Sequence, residues 1–386
     1  MALTLNPEAG SLVNLTTYGS EMAMSYTRNT GTGRWIYLNY PEPTRFVNDD
    51  IAGNIYGYGP YATGDNNYFL TRQNIPAGTH QIFYSLQNVQ GLNNLKFQIR
   101  LYNGSGSSVN YTRYNHGHRQ ITGSGTTPFK ELAGPVWKDF FSSSQQAAIP
   151  VTTTPLVIHD YPITNGYIFT GNTRFYVNGP VTLAAYLYTS SIPSNPVIYP
   201  TYIPKKAVER GYPNDPRYYS GFGSGWLNQA TINLSASTIG SGKYFKINNP
   251  AVSSSLLSIN GAPATTDLVP ICINKDGNDT TYYAQNGANL GNWSFQNLFT
   301  VNFTNPTNSP VTFYGFVKAD TGAYPVIQQG STINYAKISG GNANAWRFFS
   351  KLIPANTNIA VQEQFQFING TNSGREQLIV FKTTTN

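Results

Sequence analysis

The sequence predicts an all-β fold made of two antiparallel, jelly-roll-like β-sandwich domains with one short helix. Short apolar runs alternate with polar residues, and turn-forming residues interrupt them every roughly 8 to 15 positions. Only one stretch shows helical spacing of its apolar residues. The chain has 386 residues, which is long enough to bury two cores.

The stretch 75–104 is predicted to be a β-hairpin with arms at 81–86 and 95–102. In the second arm apolar and polar side chains alternate strictly, which is typical of a strand with one buried face. The stretch 353–382 repeats this design, with aromatic residues alternating with glutamines and Asn369-Gly370 as the turn. A further hairpin is predicted from 298–303 and 311–317.

Four short signatures occur in both halves of the chain. Ile75-Pro76-Ala77 returns as Ile353-Pro354-Ala355, Asn178-Gly179-Pro180 resembles Asn308-Ser309-Pro310, Pro196-Val197-Ile198 returns as Pro325-Val326-Ile327, and the strand 33–41 resembles 242–250. They occur in a different order and spacing in the two halves. A duplication explains them, and so does coincidence in a chain of strongly biased composition.

The predicted domains are an N-terminal sandwich at 1–191, a proline- and tyrosine-rich connector at 192–224 and a C-terminal sandwich at 225–386. The connector holds prolines at high density and no hydrophobic alternation, which favours an extended chain. Its alternative role is a binding loop folded over one domain. The helix is predicted over 129–148, and long loops are predicted at 48–67 and 103–127.

Composition excludes several classes of function. Charged residues make up only 11% of the chain, and the net charge of +7 is scattered without an arginine-rich arm, so no nucleic-acid-binding tail is expected. Neither a signal peptide nor a transmembrane segment is expected from the sequence. The single cysteine, Cys272, lies in an apolar run and is predicted to be a buried, inert thiol.

No catalytic set stands out, so the chain is predicted not to be an enzyme and to need no cofactor or metal. The spacing of His116 and His118 would place both imidazoles on one face of a strand, which suits a metal, but no Cys or acid completes a shell. We therefore expect a solvated basic loop there. His159 and Asp160 would point to opposite faces of a strand and so form no dyad.

A speculative glycan-binding loop is the one candidate site. It combines aromatic rings that can stack on sugars with nearby Asn and Asp residues, and amide groups can bond the sugar hydroxyls. Alternatively, the loop packs on its own domain or on a neighbouring subunit. Its residues are Tyr56, Tyr58, Tyr61, Asp65 and Tyr68.

The leading hypothesis is a non-enzymatic structural protein that self-assembles, as a homo-oligomer, into a virion, filament or extracellular surface array. In low charge, tyrosine-rich loops and two-sandwich layout, the chain resembles viral capsid or fibre proteins, surface-layer and filament subunits, and parasporal crystal toxins. The alternative is a module that binds a cell-surface glycan or receptor. A membrane-active β toxin, inserting through 231–241, is a third hypothesis.

Overall fold

The structure is a computed structural model, and it describes residues 12–29, 33–40, 67–88, 93–123, 126–188, 220–247, 258–259, 262–263, 268–270, 294–319, 321–368 and 377–385. The described chain is mostly strand, with one short helical segment, and the predicted all-β fold of sandwich type is confirmed. The strands of the first half are β1 (Leu12–Val13), β2 (Ser20–Glu21), β3 (Thr27–Arg28), β4 (Arg34–Tyr40), β5 (Asn67–Ile75), β6 (Gly78–Gln87), β7 (Lys96–Tyr102), β8 (Val109–Thr122), β9 (Ile149–Val151), β10 (Leu156–Pro162), β11 (Tyr167–Val177) and β12 (Val181–Tyr188).

The helical segment lies between β8 and β9 and consists of α1 (Thr126–Glu131) and α2 (Ala133–Ser142). The strands of the second half are β13 (Ser220–Ser224), β14 (Leu227–Ser235), β15 (Lys243–Ile247), β16 (Ser258–Ile259), β17 (Ala262–Pro263), β18 (Leu268–Pro270), β19 (Gln296–Asn305), β20 (Val311–Ala319), β21 (Thr321–Ala323), β22 (Val326–Gln329), β23 (Thr332–Tyr335), β24 (Ile338–Gly340), β25 (Ala345–Ile353), β26 (Thr357–Ile368) and β27 (Gln377–Lys382).

The first sandwich packs a seven-stranded sheet, in the order β18-β13-β4-β6-β11-β8-β9, against a four-stranded sheet, β10-β7-β12-β5. Apolar side chains from both sheets fill the space between them. Tyr84 of β6 and Phe97 of β7 meet there with ring centroids 5.0 Å apart. Strand alternation explains this core, because every second residue of each strand points inward.

The second sandwich packs the sheet β1-β25-β20-β27-β15-β2 against the sheet β23-β22-β26-β19-β14-β3. Its core is rich in phenylalanine, and Phe303 stacks on Phe349 with centroids 5.5 Å apart. The strands β1 to β3 from the start of the chain belong to this sandwich, whereas β13 and β18 extend the first. Strand membership therefore does not follow chain order, and the limits at residues 191 and 225 stay a prediction.

The predicted hairpins are wrong in their pairing. β6 pairs with β4 and β11, whereas β7 pairs with β10 and β12 in the opposite sheet. In the same way β26 and β27 lie in different sheets, as do β19 and β20. The alternation identified strands with one buried face correctly. Alternation does not specify the pairing partner of a strand. Two strands bury the same alternate residues whether they pair within one sheet or face each other from opposite sheets.

The two sandwiches share one pattern of strand pairing. β12 pairs with β5 and β7, and β11 pairs with β6; correspondingly, β20 pairs with β25 and β27, and β19 pairs with β26. The repeated Ile-Pro-Ala lies at the β5–β6 and β25–β26 corners, and both isoleucines are buried. The repeated Asn-x-Pro lies between β11 and β12 and between β19 and β20. Equivalent strands come in a different chain order, as a permuted duplication would give. The resemblance of 33–41 to 242–250 does not follow this pattern, because β4 pairs with β6 and β13 whereas β15 pairs with β27 and β2.

The helix α2 packs between the two sandwiches. Its Trp137 and Phe140 share an apolar cluster with Val326, Tyr335 and Ile368 of the second sandwich. The prediction of a helix over 129–148 is correct for 129–131 and 133–142, but residues 143–148 are not helical. On the other side α2 lies on the outer face of β8, where a Cβ on Gly117 would be 2.2 Å from the carbonyl oxygen of Val136.

Candidate functional site

The site begins with the row of side chains that β8 directs into the first sandwich. His116 lies opposite Thr173 of β11, and His118 lies opposite Gly171. Residues two apart on a strand share a face, so both imidazoles point inward while Gly117 between them meets α2. The expectation of a solvated basic loop at these histidines is therefore wrong, because they are part of a strand and half-buried.

Strand β10 of the facing sheet brings a second pair of inward-pointing side chains, His159 and Tyr161, to the same place. The imidazoles of His116 and His159 stack at a centroid distance of 4.8 Å, and His118 lies 4.2 Å from the ring of Tyr161. We call this group the imidazole cluster. Its members are His116, His118, His159, Tyr161 and Thr173.

Hydrogen-bond contacts connect every member of the imidazole cluster. The Thr173 hydroxyl is 2.8 Å from His159 Nε2 and 2.9 Å from His116 Nδ1. On its other side, His116 Nε2 is 2.9 Å from His118 Nδ1 and 3.0 Å from the Tyr161 hydroxyl. The nitrogen His116 Nε2 therefore has two polar neighbours at once.

Burial keeps all three imidazoles neutral at ordinary pH. Desolvation lowers the pKa of His116 to about 3, with further lowering from His118 and Arg113. Desolvation also lowers the pKa of His118, and it lowers that of His159, which is 2% exposed, well below the usual range. The same effect raises the pKa of Tyr161, although the positive charge of Arg113 opposes it.

Several buried polar atoms around the cluster have no hydrogen-bond partner in the part of the chain that the structure describes. Such atoms are uncommon in a protein interior, where an unpaired group costs about 1 to 3 kcal/mol. These atoms all lie in the first sandwich, around the imidazole cluster. They are the hydroxyl of Tyr111, Arg113 Nε, His159 Nδ1 and Asn172 Oδ1.

The cluster lies at a rim of the sandwich. Among the described residues, β10 is the edge strand of its sheet and β9 pairs with β8 only at Val109–Tyr111. In that part of the chain, both strands are therefore edges where they carry the cluster. His118 and Tyr161 are half-buried there, whereas His159 lies deeper. Outside the cluster, Arg119 forms an ion pair of 2.5 Å with Asp139 of α2.

The structure agrees with the prediction that His159 and Asp160 point to opposite faces. His159 faces inward, while the Asp160 carboxylate accepts a 2.5 Å hydrogen bond from the Tyr188 hydroxyl. The speculative glycan residues Tyr56, Tyr58, Tyr61 and Asp65 lie outside the described residues, as does Cys272. The backbone of Tyr68 is part of β5, and its side chain is not described.

Sequence reasoning missed that the two chain segments of the cluster meet. The available signal was a pair of i, i+2 patterns, His116-x-His118 and His159-x-Tyr161, each on a strand of the same sandwich. No cluster of three or more His, Cys, Asp or Glu side chains suited to a metal occurs in the described ranges. None of the described helices has the length and apolarity to cross a membrane.

A second feature is the outer edge of β26, residues 357–365, which we call the open edge. β19 pairs with β26 on one side, but on the other side β22 pairs only with Gln366–Ile368. Within the described ranges the open edge therefore has no strand partner on its outer side. Ile359 at this edge is 87% exposed, and Leu352 just before the corner is 60% exposed.

Comparison with known proteins does not place the chain in a family. No family model matches it, and no curated protein matches it. Among solved structures, a conserved protein of unknown function from Pseudomonas aeruginosa is 5% identical, with 81% of this chain and 88% of that chain covered and a TM-score of 0.13. Vicilin from Corylus avellana (hazelnut) is 9% identical over 93% of this chain and 83% of its own, with a TM-score of 0.13.

Tripeptidyl peptidase 2 is 10% identical, and the match covers 83% of this chain but only 22% of the peptidase, with a TM-score of 0.16. TM-scores this low carry no argument about fold or function. Any functional argument therefore depends on two features of the described residues, the imidazole cluster and the open edge.

Proposed function

We propose that the protein is a non-enzymatic structural subunit that assembles with copies of itself into a virion, filament or extracellular surface array. The observation that carries this proposal is the open edge of β26. An unpaired edge strand presents a row of backbone donors and acceptors to which another strand can add. Nine residues of strand extend over about 30 Å, which is room for a complete added strand.

The internal repeat supports an added strand at this position. β6 of the first sandwich is the equivalent of β26, and its corresponding edge is covered by β4, which runs parallel to it from Trp35 opposite Gln81 to Tyr40 opposite Leu86. The fold therefore accommodates a strand on this edge. In the second sandwich we assign that place to a strand from another copy of the chain.

The composition of the open edge also favours pairing. Proteins usually protect exposed edges with lysines, prolines or bulges. Residues 357–365 contain no lysine, arginine or proline, and their single charged side chain, Glu363, is engaged by Lys351 at 2.7 Å and by Gln329 at 3.1 Å. Only 11% of the residues are charged, so copies of the chain repel one another little.

Mass measurement in solution together with negative-stain electron microscopy tests the proposal. We expect the wild-type chain to form ordered oligomers. Ile359→Lys, which places a charge at the open edge, should shift the protein towards monomer. Thr182→Lys is the matched control, because Thr182 is partly exposed on β12, which pairs with β5 on one side and β7 on the other.

A wild-type protein that stays at 42.4 kDa at high concentration would overturn the proposal. Equal assembly of both lysine variants and the wild type would overturn the role of the open edge. A monomer would favour the alternative, a glycan- or receptor-binding module. The first residues to replace would then be the tyrosines of the speculative glycan loop.

A further inference from the structure

We propose that His116, His118 and Tyr161 bind a divalent transition-metal ion, and that their donor set suits Cu²⁺ best. The site is independent of the proposed assembly. It uses three donor atoms that the fold brings together from β8 and β10, which are two strands of facing sheets.

The spacing of the donor atoms fits a metal with ligands at right angles. His118 Nδ1 and the Tyr161 hydroxyl lie 2.9 and 3.0 Å from His116 Nε2. Two ligands about 2.0 to 2.1 Å from a metal are about 2.9 Å apart at a right angle and about 3.4 Å apart at a tetrahedral angle. The observed separations therefore correspond to neighbouring positions of a tetragonal site. Such sites with nitrogen and oxygen ligands are typical of Cu²⁺ and Ni²⁺.

Hydrogen bonding alone satisfies these three groups poorly. A neutral imidazole nitrogen carries either one hydrogen or one lone pair. His116 Nε2 must therefore share a single hydrogen, or a single lone pair, between His118 and Tyr161. A metal ion instead accepts one lone pair from each of the three groups, so no donor atom competes with another.

The Thr173 hydroxyl supports the ligand tautomer that a metal requires. For His116 Nε2 to bind a metal, its Nδ1 must carry the hydrogen and donate it, and the Thr173 oxygen lies 2.9 Å away to accept it. The Thr173 hydroxyl can then donate to His159 Nε2 at 2.8 Å. Metal-binding histidines commonly have such a partner on the second nitrogen, which orients the ring.

The local charges are compatible with a divalent ion that is bound by a phenolate. The positive charge of Arg113 beside the site opposes a bare dication, and a phenolate ligand reduces the charge that Arg113 meets. When Tyr161 binds, its proton passes to solvent, and the net charge added to the rim is one unit rather than two. The half-buried positions of His118 and Tyr161 give the ion access from solvent.

The test is titration of the full-length, chelator-treated protein with Cu²⁺ at pH 7.5, followed by visible absorption and electron paramagnetic resonance. We expect one bound Cu²⁺ per chain, nitrogen hyperfine structure, and a phenolate-to-copper charge-transfer band. Tyr161→Phe keeps the ring and should remove the band and weaken binding about 10- to 100-fold. His118→Gln should remove a primary ligand and weaken binding at least as much, and Thr173→Val should weaken it roughly 10-fold.

Tyr188→Phe is the matched control, because it removes a phenol hydroxyl that bonds Asp160 and lies outside the imidazole cluster. It should leave affinity and spectrum unchanged. Far-UV circular dichroism verifies that each variant is folded. The proposal is overturned if the wild type shows no saturable one-to-one binding, or if Tyr161→Phe retains the charge-transfer band. It is also overturned if His118→Gln binds as tightly as the control.

Discussion

Protonation of His80 is expected to destabilise the fold as the pH falls. His80 is fully buried at the start of β6, where its Nδ1 accepts a 3.1 Å hydrogen bond from the backbone N–H of Arg34. Its Nε2 lies 2.9 Å from the carbonyl oxygen of Pro76 and donates to it. The neutral ring thus connects β4 to the corner before β6. Burial lowers the pKa of His80 to about 4, and the charge of Arg34 contributes.

The magnitude follows from the difference between the folded and unfolded states. A histidine with a pKa of about 4 when folded and about 6.5 when unfolded binds more protons in the unfolded state between those values. Its contribution is therefore fully present above pH 6.5 and is lost as the pH falls towards 4. The loss between pH 7.5 and pH 5.0 is about 2 kcal/mol of unfolding free energy.

The assay is denaturant unfolding at pH 7.5 and 5.0 for the wild type and His80→Asn. The asparagine amide oxygen can accept the Arg34 N–H but does not titrate. We expect the variant to be less stable at pH 7.5 by about 1 to 3 kcal/mol, because the contact to Pro76 is lost. It should, however, lose about 2 kcal/mol less than the wild type on acidification.

Ile82→Val serves as the control, since it removes one buried methylene two residues further along β6 while keeping His80. It should lower stability by about 1 kcal/mol at both pH values and keep the full pH dependence of the wild type. Titration of the other histidines is common to all three proteins and cancels in the comparison. An identical pH dependence in His80→Asn and the wild type would refute the reasoning.

Three further substitutions test the packing. Gly117→Ala places a Cβ against the backbone of α2 and should cost at least about 1 to 3 kcal/mol in thermal unfolding, whereas Gly104→Ala, with open space around it, should be nearly neutral. Arg174→Met removes a guanidinium that bonds Gln81 of the first sandwich and Gln296 of the second and lies 3.9 Å from the Trp226 ring. We expect the free energy of unfolding to fall by about 2 kcal/mol, and one sandwich to unfold in a separate transition at lower temperature than the other. Asn305→Asp turns the donor that contacts three carbonyl oxygens into an acceptor, and it should destabilise by about 3 kcal/mol or more while the exposed Asn358→Asp does not. Little change in any of the three would contradict the corresponding contact.

The sequence predicted burial better than it predicted pairing. The alternating residues Leu95, Phe97, Ile99 and Leu101 are all fully buried, as expected. Their strand nevertheless pairs with β10 and β12 rather than with β6. Alternation reports which side of a strand faces apolar surroundings, and in a sandwich that side is the same for strands of both sheets. The residues that connect the two strands did not show whether the strands pair with each other or lie in opposite sheets.

The imidazole cluster escaped prediction for a related reason. The run around His116 and His118 is polar and reads as a loop, because strand patterns are usually recognised by apolar inward residues. Here the inward residues are polar, and His116 lies within hydrogen-bond distance of Thr173 and Tyr161. Only the long-range pairing of β8 and the facing position of β10 bring these groups together. The spacing of the two histidines was read correctly, but the missing members lay about 40 positions further along the chain.

The position of β1 to β3 in the second sandwich sets an order of events during synthesis. The Lys382 ammonium donates to the carbonyl oxygen of Thr17 at 2.8 Å, across 365 positions of the chain. The Asn344 side chain likewise accepts from the backbone N–H of Leu15 and donates to its carbonyl oxygen. At about 5 to 20 residues per second, the ribosome adds Thr17 roughly 20 to 70 s before Lys382. Strands β1 to β3 therefore have to wait for much later parts of the chain before they can pair.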